Sequence, residues 1–135
     1  QNKVALTNSD YIDAHPRFSP TGNRLAFTST RSGNFDIYRM AADGSAMLQL
    51  TDHPGIDTRP AWSPDGLKIA YTSLIQGNYE IFVMNADGSH QKQITTNPGK
   101  DDFACWHPDG KRVFYVSEVK GKIDIYSTLV EDSTP

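Results

Sequence analysis

Three aspartates recur at one interval. Asp13, Asp57 and Asp101 stand 44 residues apart. Carboxylates gathered around one opening would attract a cation, or the ammonium or guanidinium of a peptide. The same side chains can instead cap backbone N–H groups where a chain turns, and their repetition favours that structural role. If close together, they would raise some of one another's pKa values. Two residues further on, His15 and Arg59 share a position with Phe103. Four further on, Arg17 shares one with Ala61 and Cys105. Residues that differ at a repeated position are better candidates for recognition than residues that repeat. Arg59, Arg17 and His15 together would make an anion or carboxylate site, with Arg59 gripping bidentately. Asp102, beside Phe103, and Arg31, in the 31–34 loop, complete the candidate partner-binding set.

Covalent chemistry is poorly provided for. Cys105 and His107 are two apart and could face one side of a strand. A thiolate nucleophile would need them within hydrogen-bond reach and an oxyanion site besides. His107, however, takes the serine position of a repeated turn. His15, His53, His90 and His107 are dispersed, with no His-x-x-x-His or Cys-x-x-Cys pair, so neither a metal nor another cofactor is expected. No Gly-x-Ser-x-Gly elbow and no phosphate loop occur. A net charge of −3 disfavours a broad basic face for nucleic acid. One cysteine allows no internal disulfide, and no apolar run reaches the length of a membrane span. No signal-peptide core opens the sequence, and Gln1 points to a processed or trimmed start.

The elements that position these residues follow the same interval. Ser63-Pro64-Asp65-Gly66 lies 44 residues after Ser19-Pro20-Thr21-Gly22 and 44 before His107-Pro108-Asp109-Gly110. A fixed period in the 40s, with strand-like runs and turn signals inside each unit, predicts propeller blades. The fold class is therefore all-β: a single domain, 1–135, of three blades, each of four antiparallel strands, with no helical periodicity. First strands are expected around 16–19, 60–63 and 104–107, where Phe18, Trp62 and Trp106 fill the wedge between sheets. Second strands (24–29, 68–73, 112–117) carry apolar centres suited to cover on both faces. Third strands are expected at 35–40, 79–84 and 123–128, and polar fourth strands at 47–51 and 91–95. Leu6-Thr7 aligns with Leu50-Thr51 and Ile94-Thr95. Residues 1–7 thus read as the closing strand of a unit whose beginning is absent. Repeats 8–51, 52–95 and 96–135 follow, the last lacking its fourth strand. Glu131-Asp132 replaces the Asp-Gly turn there.

The pattern Asp57-x-x-Pro60-x-Trp62-Ser63-Pro64-Asp65-Gly66, with Gly77-Asn78-x-Glu80-Ile81, Ala86-Asp87-Gly88-Ser89 and Ile94-Thr95, resembles the repeat of TolB-type β-propellers. Gly33-Asn34-x-Asp36-Ile37-Tyr38 and Ala42-Asp43-Gly44-Ser45 carry it in the first unit, and Asp124-Ile125-Tyr126 in the third. The Trp-Asp hallmark of WD repeats is missing. The resemblance implies a six-bladed ring, a bacterial or archaeal source and a place outside the cytoplasm, such as the periplasm. It also implies a protein partner, since the family's namesake binds a lipoprotein. Related propellers are accessory domains of peptidases and sugar-degrading enzymes, so the repeat specifies scaffold more than activity.

Three wedge-shaped sheets do not close a circle without splaying. The expected solution is a homodimer: residues 3–7 of one copy complete the third blade of another, and the reverse exchange closes a six-bladed ring. The alternative is a chain excised from, or designed after, a longer protein. The expected function is non-enzymatic binding of a protein or peptide at the loop-rich end; the alternatives are a propeller of a carbohydrate- or peptide-degrading enzyme, or an excised or designed half-propeller with no ligand.

Overall fold

The computed structural model describes residues 2–130. Among them are eleven strands and no helix. They form three antiparallel sheets, one per repeat. The first runs β1 (Asp13–Phe18), β2 (Arg24–Ser29), β3 (Asp36–Ala41), β4 (Leu48–Gln49). The second runs β5 (Ile56–Trp62), β6 (Lys68–Ile75), β7 (Asn78–Asn85), β8 (Lys92–Gln93). The third holds β9 (Lys100–Trp106), β10 (Arg112–Val119) and β11 (Lys122–Leu129). Glu131-Asp132, which stands where the other repeats have their Asp-Gly turn, lies outside the described residues.

The turns form as their residues require. The amide of Gly66 donates to the Ser63 carbonyl at 2.9 Å, and its φ of 74° is one that an L residue rarely adopts. Asp65 Oδ1 accepts from the Leu67 amide at 3.0 Å and tightens the same turn.

Two features depart from the sequence expectation. First strands begin three or four residues early, at Asp13, Ile56 and Lys100. Fourth strands shrink to two residues, because a side chain replaces the backbone ladder. Thr51 Oγ1 accepts the Ile37 amide at 2.9 Å, and Thr95 Oγ1 accepts that of Ile81 at 2.9 Å. Residues 2–7 form no strand within the single chain.

Each sheet has a leading face, toward the preceding repeat, and a trailing face, toward the next. The core lies between sheets. Ala26, Ile37 and Leu50 from the first meet Ile69, Tyr71 and Met84 from the second, with Trp62 and Phe82 packed alongside. Ala70, Ile81 and Val83 meet Val113 and Tyr115, with Trp106 alongside. Each tryptophan is fixed by its polar edge: Trp62 Nε1 donates to the Arg17 carbonyl at 3.0 Å and Trp106 Nε1 to that of Ala61 at 2.9 Å. The two outer faces lack a neighbouring sheet in the single chain: Phe18, expected to fill a wedge as Trp62 and Trp106 do, is 63% exposed, although Leu25, Phe27 and Met40 on the same sheet are buried. Ile125 is 77% exposed, whereas its equivalents Ile37 and Ile81 are fully buried.

Candidate functional site

Each innermost strand breaks register once. The break falls between Ala14 and Arg17 in β1, between Thr58 and Ala61 in β5, and opposite Phe114–Val116 in β9. His15, Arg59 and Phe103 sit inside these bulges with φ of 54°, 54° and 60°. A non-glycine residue there is sparsely populated and costs on the order of 1 kcal/mol, which packing on either side must overcome. A bulge re-aims the side chain it carries. All three line one cavity of about 430 Å³, with Arg17, Pro60, Ala61, Ala104 and Cys105.

The cavity wall is an interlocked set. Arg59 Nη1 donates to Asp102 Oδ2 at 3.0 Å, and its guanidinium carbon lies 4.5 Å from the centre of the Phe103 ring. Thr72 Oγ1 donates to the other Asp102 oxygen at 2.8 Å. One repeat earlier, Thr58 Oγ1 and His15 Nδ1 share a hydrogen bond at 3.3 Å. Arg17 Nη1 donates to the Pro16 carbonyl at 3.1 Å and enters no ion pair among the described residues. Loss of water around the His15 ring, then the charges of Arg59 and Arg17, hold its pKa below the ordinary histidine value. The wall therefore presents one uncompensated guanidinium, one partly compensated, a neutral imidazole near pH 7 and an exposed phenyl ring.

The repeated aspartates lie elsewhere. Asp57 and Asp101 are fully buried and so withdrawn from a partner in this geometry. Asp57 Oδ1 meets His53 Nε2 at 2.6 Å; Asp101 Oδ2 accepts from Asn97 Nδ2 at 2.9 Å. Both hold the link that leads into an innermost strand. Burial pushes the Asp57 pKa up, against hydrogen bonds from Ser73 and His53. Asp13 is only half-buried. Burial opposes its ionisation, but hydrogen bonds from Ser29, Ser9 and Arg31 outweigh this and hold its pKa low. Arg31 is committed there, with Nη2 at 3.1 Å from Asp13 Oδ1, and does not line the cavity. Of the nine candidate residues, the structure thus gathers His15, Arg17, Arg59 and Phe103 around the cavity, with Asp102 behind Arg59.

No hydrogen bond joins Cys105 to His107. The His107 ring stacks on Phe114, and its Nδ1 accepts from the Asp109 amide at 3.1 Å. Cys105 is exposed and lines the cavity. Among the described residues no group of three His, Cys, Asp or Glu side chains is placed to hold a metal ion. Sequence reasoning missed Thr58 and Thr72, which anchor the wall. The signal was present: position 58 varies as Ala14, Thr58 and Asp102, the pattern used to single out position 59.

A family model described as the TolB beta propeller domain matches residues 1–79. The Tol-Pal system protein TolB of Bordetella pertussis is 44% identical over 43 residues, which are 32% of this chain and 10% of that protein. The solved structure of TolB from Acinetobacter baumannii superposes with a TM-score of 0.82 at 25% identity, covering 96% of this chain and 32% of that one. Putative TolB from Agrobacterium tumefaciens gives 0.79 at 26% identity, covering 92% and 47% respectively. The chain thus spans less than half of either structure.

Proposed function

Since the chain belongs to the TolB β-propeller domain family, we propose that it is a non-enzymatic binding module whose inner-strand cavity takes a carboxylate-bearing segment of a protein or peptide partner. One observation carries the reading: Arg17, Arg59, His15 and Phe103 converge on a single cavity of about 430 Å³. An acidic side chain or a C-terminal carboxylate would meet Arg17 and the free edge of Arg59, and Phe103 would receive an apolar neighbour. The relatives named for the Tol-Pal system support a protein partner, and the family resemblance supports a bacterial, extracytoplasmic setting such as the periplasm.

The exposed Phe18 of the first sheet and Ile125 of the third support the assembly expected above, a second copy completing a six-bladed ring. The cavity would then face its two-fold mate across the channel. Titration of a fluorescent acidic peptide against the protein and its Arg17→Ala variant tests the binding role. Saturable binding weakened about tenfold by the variant, or roughly 1.4 kcal/mol, is expected. Equal affinity would remove the cavity from consideration.

A further inference from the structure

Resting on that ring reading, we propose that the trailing face of the third sheet docks on the leading face of the first sheet of a second copy, in the register of the two junctions inside the chain. Residues that meet across the internal junctions carry matched chemistry, and the third junction continues the series. At the first junction Thr28 and Thr58 place their hydroxyls 3.5 Å apart, and Thr58 bonds His15. At the second, Thr72 and Arg59 both bond Asp102. Advancing each position by one repeat gives Val116, Ala14 and Phe103. The three sets are neutral polar, ionic and apolar. Opposite Val116, a threonine or aspartate would lose a partner that it has at the other junctions. Ala14 is the one apolar residue of its series, so the third sheet fits the first sheet and neither of the others.

The rest of the interface agrees. Ile37 and Ile81 are buried between sheets, and the exposed Ile125 follows them in the series. Its seat would be Leu25, Phe27 and Met40, the equivalents of Ile69, Tyr71 and Met84. They are buried in the single chain and line, with Val4, Leu6 and Ala14, a cavity of about 270 Å³ on the leading face of the first sheet, where Ile125 would join Leu6 as Ile37 joins Leu50. At the rim, Asn34 donates to the carbonyl oxygens of Pro54 and Gly55, at 2.9 and 2.8 Å. Lys122 takes the place of Asn34 and Asp10 that of Pro54, so a cation would meet a carboxylate. Lys100 lies over the Tyr79 ring at 4.7 Å. Ile123 and Ile12 hold those two positions at the third junction and are 64% and 59% exposed.

Residues 4–7 are already poised for the exchange. A Cβ added at Gly88 would meet the Leu50 carbonyl oxygen at 2.7 Å, and one added at Gly44 would meet that of Leu6 at 3.0 Å. Leu6 therefore stands against the first sheet as Leu50 stands against the second. Gln49 pairs with Tyr38 and Leu48 with Arg39. The same register sets Ala5 of one copy against Tyr126 of the other, and Val4 against Ser127.

Cross-linking tests the register separately from the ring. In a Cys105→Ser background, Ala14→Cys and Val116→Cys chains are prepared singly, mixed and mildly oxidised. A disulfide-linked pair containing one of each is expected, with none from either variant alone. The doubly substituted chain should give a linked dimer and no ladder. A two-chain mass by sedimentation without this cross-link, or with links within one variant, would overturn the register and leave the ring standing. A one-chain mass would overturn both. A ladder from the double variant would keep the face pairing and sink the two-chain ring. Charge exchange at the rim is a second check that leaves the core intact. Lys122→Glu should weaken association several-fold, and Asp10→Lys added to it should restore it. No rescue would count against the register.

Discussion

Arg59 and Asp102 join the second and third repeats: a guanidinium nitrogen of one lies 3.0 Å from a carboxylate oxygen of the other. The side chains retain 33% and 14% of their exposure, so the pair is partly screened and contributes about 1 kcal/mol or less to stability. Its larger role is to hold one edge of the guanidinium while the other faces the cavity. Arg59→Ala should lower the affinity for an acidic peptide about tenfold while costing about 1 kcal/mol of stability. Arg59→Lys should recover part of the stability and little of the binding, because the planar contact with Phe103 is lost. Equal binding by both variants and the parent, measured by titration calorimetry, would contradict this.

Peptide affinity should depend on pH through His15. Its pKa lies below the ordinary histidine value, so the ring is neutral when the cavity is empty near pH 7. A bound carboxylate favours the imidazolium, so binding takes up protons. Affinity for an acidic peptide should therefore rise as pH falls through and below the ordinary histidine range. His15→Gln should flatten that dependence. A parallel pH profile for parent and variant would assign the effect elsewhere.

Glu80 should limit stability at neutral and alkaline pH. Burial, together with nearby Asp101, raises its pKa despite hydrogen bonds from Thr95 and Asn78. A carboxyl whose folded pKa is raised contributes stability below its unfolded pKa, and that contribution is lost as pH rises through the folded value. Glu80→Gln should therefore raise the melting temperature by on the order of 3 °C at pH 8. The advantage should fade toward the ordinary glutamate range, where the parent is protonated too. Melting scans at several pH values check the sign.

The short fourth strands depend on threonine. Thr95 Oγ1 accepts the buried Ile81 amide at 2.9 Å and donates to Glu80 Oε2 at 2.6 Å. Thr95→Val keeps the shape and removes both bonds. It should cost about 1–3 kcal/mol, because a buried N–H loses its partner. Thr95→Ser should recover most of that loss. Urea denaturation of the two variants makes the comparison.

What was legible in the sequence was whatever recurs with local chemistry. Gly22, Gly66 and Gly110 mark their turns because only glycine takes that φ cheaply. The apolar centres of β2, β6 and β10 mark sheets covered on two faces. The bulges were hidden because Arg59 and Phe103 are not residues that advertise a left-handed backbone, and histidine, which takes it more readily, stands there in one repeat alone; neighbouring packing imposes it. The fourth strands were overestimated because a hydroxyl and a backbone carbonyl satisfy the same donor. Asp57 and Asp101 stood among the candidates because carboxylates around one opening would attract a cation, although their repetition favoured a structural role. Their partners His53 and Asn97, four residues upstream, let them be buried.

The assembly on which the channel depends is tested most directly by sedimentation equilibrium of the 135-residue chain at micromolar concentration. A single stable species of twice the 15.0 kDa chain mass is expected. A species that remains at one chain mass as concentration rises would contradict the two-copy ring.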